Sequence, residues 1–93
     1  MGGRLHNRLV ALMPRSRNSP RQARLLEMLA AHRIAANLSQ EEIARRLGRP
    51  QSFVSKYELG ERRLDVVELL EVCAALGVDV RYVIRELLKV APG

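Results

Sequence analysis

Residues 39–60 read SQEEIARRLGRPQSFVSKYELG, and their spacing decides the fold. Ile43, Ala44 and Leu47 recur at helical spacing on one side of a short segment. Ser39 stands where an N-cap belongs, and Glu42, three residues on, completes the signature of a capping box. Gly48 supplies a turn that needs no β-carbon. Pro50 then opens a second short helix, whose Val54 and Tyr57 fall inward at i, i+3. Gln51, Ser52, Ser55 and Lys56 remain on the outward face, and all four can hydrogen-bond. Two short helices joined by a tight turn form the layout that places such a row of side chains in a DNA major groove.

The stretch resembles the helix-turn-helix of the XRE family, to which the repressor and Cro proteins of lambdoid phages also belong. That pattern wants a small residue at the fifth position of the motif, Gly at the ninth and a β-branched residue at the fifteenth. Counted from Gln40, these are Ala44, Gly48 and Val54, with no gap. The match runs backwards to Arg33 and Leu38-Ser39-Gln40, and forwards through Glu58-Leu59-Gly60 to about Leu88. The resemblance implies an all-α, five-helix, lambda-repressor-like DNA-binding domain.

Periodicity in the rest of the chain agrees. Helices are expected near 20–36, 40–47, 50–58, 66–76 and 80–89. Ser19-Pro20 caps and opens the first, Asp65 with Glu68 repeats the capping-box logic before the fourth, and Asp79 caps the fifth. Asn37 and Gly77 end the first and fourth as left-handed caps. Aromatics make up 3% of the 93 residues and Trp is absent, so the core must be aliphatic. Such a length is one domain, near the lower end of what one core stabilises.

Composition narrows the setting. A single cysteine, Cys73, cannot form an internal disulfide, and among Leu69, Leu70, Val72 and Leu76 it reads as a small buried hydrophobe. No apolar run approaches the ~18 residues that span a bilayer. The opening MGGRLHNRLVALMP is too short in apolar residues for a secretory signal, which leaves the cytoplasm as the expected compartment.

Charge is segregated. Residues 1–37 hold seven Arg against one Glu, whereas residues 38–93 balance nine basic with nine acidic. Within the neutral part, residues 44–63 carry six basic and two acidic residues, and residues 64–93 carry three and five. Charge runs usually just solvate a helix. Here the sign change tracks the motif, as a surface that meets phosphates would require. Residues 1–18 read as a basic arm, with residues 19–93 as the DNA-binding domain. Leu5, Leu9 and Leu12 allow a short helix that Pro14 would stop, and Met13 is an alternative start.

Catalytic chemistry finds little support. His6 and His32 have no cysteine or carboxylate set at metal spacing, and there is no Gly-rich phosphate loop and no nucleophile elbow. No cofactor or metal is expected. At 100° per residue, Ser52 and Lys56 oppose Val54, Tyr57 and Glu58, with Gln51 and Ser55 flanking. Gln bonds bidentately to adenine and Lys donates to guanine, which makes Gln51, Ser52, Ser55 and Lys56 the candidate base readers. Phe53 lies at the boundary, where packing is favoured over contact with a thymine methyl.

The resemblance implies further roles. Gln40 matches a phosphate anchor at the N-terminus of its helix, and Arg62 and Arg63 match basic positions that touch phosphates. Arg49 in the turn and Arg15 and Arg17 in the arm complete the expected phosphate set. Arg33 and Glu58 match a pair that bridges the first helix to the end of the third. Two departures are Glu61, where many relatives carry a base, and Pro50, which removes an amide donor.

The expected function is a repressor that binds double-stranded DNA as a homodimer, because one short recognition helix contacts too few base pairs alone. Val80, Val83, Ile84, Leu87 and Leu88 of the fifth helix are the expected dimer contact. An alternative is an XRE-type antitoxin that neutralises a toxin protein and represses its own operon. A module that keeps the fold without binding DNA would carry acidic or apolar residues in place of Gln51, Ser52, Ser55 and Lys56.

Overall fold

The computed structural model describes residues 19–92. The expected basic arm, with Arg15 and Arg17, and the alternative start at Met13 lie outside the described residues. Five helices follow in order: α1 (Pro20–Ala35), α2 (Gln40–Leu47), α3 (Gln51–Leu59), α4 (Val66–Leu76) and α5 (Val80–Leu88). The described residues contain no strand. These are the expected elements, displaced by a residue or so at their ends.

Local chemistry accounts for the boundaries. Ser19 Oγ accepts from the Gln22 amide, Ser39 Oγ from Glu42, Asp65 from Glu68 and Asp79 from Arg81, so four of the five helices start on a side-chain cap. The reciprocal capping box forms at α4, where Glu68 returns a bond to the Asp65 amide at 3.0 Å. At α2 only half of it forms. Glu42 turns its carboxylate to Arg45 and Arg46 on the next turn of the same helix, where charge pairing outcompetes the neutral amide. Pro50 is another correction: it sits outside α3 as its N-cap residue, with extended backbone, and Gln51 is the first helical residue. Asn37 and Gly48 close the first two helices in the left-handed region, at φ 62° and 66°.

The core gathers from every helix: Met28 and Leu29, Ile43 and Ala44, Phe53, Val54 and Tyr57, Leu69, Val72, Cys73 and Leu76, and Val83. Each fully buried aliphatic side chain contributes about 1.5–3 kcal/mol of transfer free energy. Helix α3 packs on α2 and α1, while α4 supports α2 and α5 closes over α1 and α4. Helix α3 is therefore backed by two helices, which holds its far face in a fixed orientation. Arg21 ties the two ends of the domain together by donating Nε–H to the Val90 carbonyl at 2.9 Å.

Val83 cannot be a dimer contact, because it is 0% exposed and belongs to the core. Val80 and Leu87 are half-buried against that same core. Of the five residues expected at the dimer contact, Ile84 and Leu88 stand in solvent, 42% and 66% exposed. The middle of the apolar stripe of α5 is consumed inside the domain. No described helix is long and apolar enough to cross a membrane.

Candidate nucleic-acid interface

Helix α3 buries Phe53, Val54 and Tyr57, which fixes what its other side presents. Gln51, Ser52 and Lys56 are exposed, and Ser55 is half-buried with its hydroxyl donating to the Ser52 carbonyl at 3.3 Å. The candidate base readers thus share the solvent side of one helix.

Gln51 is held from behind. Its Nε2–H donates to Gln40 Oε1 at 2.7 Å, and Gln40 Nε2–H donates to Glu58 Oε1 at 2.8 Å. Glu58 also takes a two-point contact from Arg33, Nε to Oε2 at 2.7 Å and Nη2 to Oε1 at 3.1 Å. Arg33 also donates Nη1–H to the Leu38 carbonyl at 2.8 Å. An unbroken chain of hydrogen bonds therefore runs from α1 through the end of α3 to the start of α2 and back to the first residue of α3. The side chains of Arg33 and Glu58 are 14% and 10% exposed, so the pair is largely shielded. Its hydrogen bond and charge hold the Arg33 pKa above the ordinary arginine value, against the opposing effect of burial.

Gln40 is accordingly placed differently from a lone phosphate anchor. One amide hydrogen is spent on Glu58 and its oxygen on Gln51, which leaves the second amide hydrogen for a ligand.

The basic residues flanking α3 form a second network that sequence spacing did not reveal. Arg62 makes a two-point contact with Glu68, Nη1 to Oε1 at 2.9 Å and Nη2 to Oε2 at 2.7 Å. Arg49 reaches the same carboxylate at 3.5 Å. Both guanidiniums lie over the Phe53 ring, 4.4 Å and 4.8 Å from its centroid. Phe53 is buried and meets Tyr57 edge-on, so it packs and also serves as the platform for two cations. The Arg62 bridge and the Asp65 amide pull the Glu68 carboxyl down to about 2. Glu68 had been visible only as a helix-capping residue. The remaining signal, an acid six residues after Arg62, does not reveal Arg49 as its second partner.

Arg63 and Glu61 lie exposed on the loop after α3. The loop is closed by the Lys56 carbonyl, which accepts from the Glu61 and Arg62 amides. His32 meets Tyr82 edge-on at 6.0 Å between α1 and α5, and Cys73 is buried with its thiol pKa pushed up by desolvation.

The fold has known relatives. The helix-turn-helix family model matches residues 29–83. An XRE-family-like protein from Pseudomonas syringae pv. tomato is similar in structure, with a TM-score of 0.72 and 40% identity over 95% of this chain and 93% of that one. The restriction-modification controller protein C.AhdI from Aeromonas hydrophila shares 31% identity at a TM-score of 0.61, over 66% of this chain and 92% of its own. The clp gene regulator ClgR from C. glutamicum shares 28% identity at a TM-score of 0.65, over 74% and 88%. No curated protein matches the chain. From Ser39 to Gly60 the motif, its geometry and its relatives agree, and the chain belongs to the XRE family of helix-turn-helix DNA-binding regulators.

Proposed function

We propose that the protein represses transcription by occupying a pseudo-palindromic operator as a homodimer. Helix α3 lies in the major groove, where Lys56 and Gln51 read base edges and Ser52 and Ser55 make shorter-range contacts. Gln40, Arg49, Arg62 and Arg63 meet phosphates on either side, joined by Arg15 and Arg17 of the arm. Arg33 and Glu58 act structurally, fixing the angle between α1 and α3. The observation that carries this reading is the solvent side of α3: Gln51, Ser52 and Lys56 are exposed, and Gln51 is fastened to Gln40 at 2.7 Å. An amide that is already fixed loses less freedom on pairing with a base than a free one, which favours bidentate readout by Gln51 over a merely solvated face.

Two copies are needed because a nine-residue helix such as α3 spans only a few base pairs. Ile84 and Leu88, both exposed on α5, form the contact between copies. Two relatives, a restriction-modification controller protein and a clp gene regulator, support a regulatory role. Selection of binding sites from a random duplex pool tests the proposal. Enrichment of two inverted half-sites, centred about 34–36 Å apart, is expected. A pool that stays random after repeated rounds would overturn it.

A further inference from the structure

One carboxylate, Glu68, gathers the two arginines that bracket the recognition helix in sequence. Arg49 comes from the turn before α3 and Arg62 from the loop after it, yet both reach Glu68 and both lie over Phe53. The Glu68 side chain is 10% exposed, while those of Arg49 and Arg62 remain 37% and 38% exposed. The acid is thus buried beneath two cations that still face solvent. We propose that Glu68 is a positioning residue for DNA binding, which presets Arg49 and Arg62 against the Phe53 ring for the phosphates on either side of α3.

The proposal rests on the reading that α3 enters the groove. Arg62 has five N–H donors, of which two go to Glu68 and one to the Arg63 carbonyl. Its other two remain for a phosphate. A long flexible side chain that is already fixed loses less entropy on binding than one that must be ordered then. Glu68 itself is anchored by the capping box, through the Asp65 amide and its own amide, so α4 holds the carboxylate in register.

The alternative role has the opposite sign. If Glu68 merely competes with DNA for the arginines, removing its charge strengthens binding and steepens the salt dependence. Glu68→Gln separates the two, since glutamine keeps the length and the capping-box acceptor but loses the charge. Affinity for the selected duplex, referred to the folded fraction, is measured by fluorescence anisotropy from 50 to 200 mM salt. Positioning predicts a loss of roughly tenfold with a slope of log affinity against log salt that is unchanged or shallower. Equal or tighter binding overturns it. Arg62→Lys serves as the second variant, because it keeps the charge but cannot make the two-point contact. It should lose a similar factor with an unchanged slope, and parental affinity in this variant would also overturn the proposal. Should the parent protein fail to bind any duplex, the reading of α3 fails first, and the role of Glu68 falls with it.

Discussion

Removing Glu58 should cost this domain a large share of its stability. The carboxylate accepts three hydrogen bonds, two from Arg33 and one from Gln40, and its side chain is 10% exposed. In Glu58→Ala the Arg33 guanidinium keeps only the Leu38 carbonyl while remaining 14% exposed in its native pose. Stranding one partner of a buried pair costs about 3–5 kcal/mol, and the residual solvent contact here lowers the expectation to about 2–4 kcal/mol. A domain of this size holds only about 4–11 kcal/mol in total. Urea unfolding followed by circular dichroism should therefore show a midpoint shifted far down at unchanged slope. DNA binding should fall at least in proportion to the folded fraction, because Glu58 also holds Gln40 and through it Gln51. Glu58→Gln preserves the shape and one good acceptor, and should lose only about 1–2 kcal/mol. Replacing Arg33 and Glu58 together by methionine removes both charges and should leave a more stable protein than Glu58→Ala. A double-mutant cycle should give a coupling of about 1–3 kcal/mol. Coupling near zero would mean that the shielded contact contributes nothing to holding α1 against α3.

Other outcomes follow from the same geometry. Glu68 has its carboxyl lowered from 4.5 to about 2, so the unfolded chain takes up a proton the folded one refuses. Stability contributed by Glu68 is full above pH 4.5 and is lost as pH falls towards 2; urea midpoints of Glu68→Gln should decline less across that window than those of the parent. Deleting residues 1–18 should weaken binding to all duplexes alike and flatten the slope of log affinity against log salt. Leu88→Asp should shift sedimentation from dimer to monomer with a melting temperature close to the parent's, while Val83→Asp, in the core, should unfold the domain.

Helix positions were legible because the chain marks them twice. Apolar periodicity set the span of each helix, and Ser19, Ser39, Asp65 and Asp79 set four of the starts. The pairing of Arg33 with Glu58 came through resemblance alone, since residues 25 apart carry no local signal of contact. For the charged groups, what stayed hidden shares one cause: competition between partners that are local in sequence and partners that are not. Glu42 had two possible partners, the helix start or the next turn, and spacing does not rank them. Glu68 satisfied its local role as a cap, which concealed its bonds to Arg62 and to Arg49 beyond α3. Val83 showed the reverse difficulty. Periodicity identified the apolar side of α5 without revealing how much of it the domain itself covers.

Parallel site selections test whether α3 reads bases with Lys56 and Gln51. The parent, Lys56→Ala and Gln51→Ala would each be taken through the same random duplex pool under the same salt. Each substitution should cost about 1–3 kcal/mol on the parental site. Each should also relax base preference at its own position, at the symmetric place in both half-sites. Enriched sequences that remain identical for all three proteins would contradict the account, since the exposed face of α3 would then carry no information about the site.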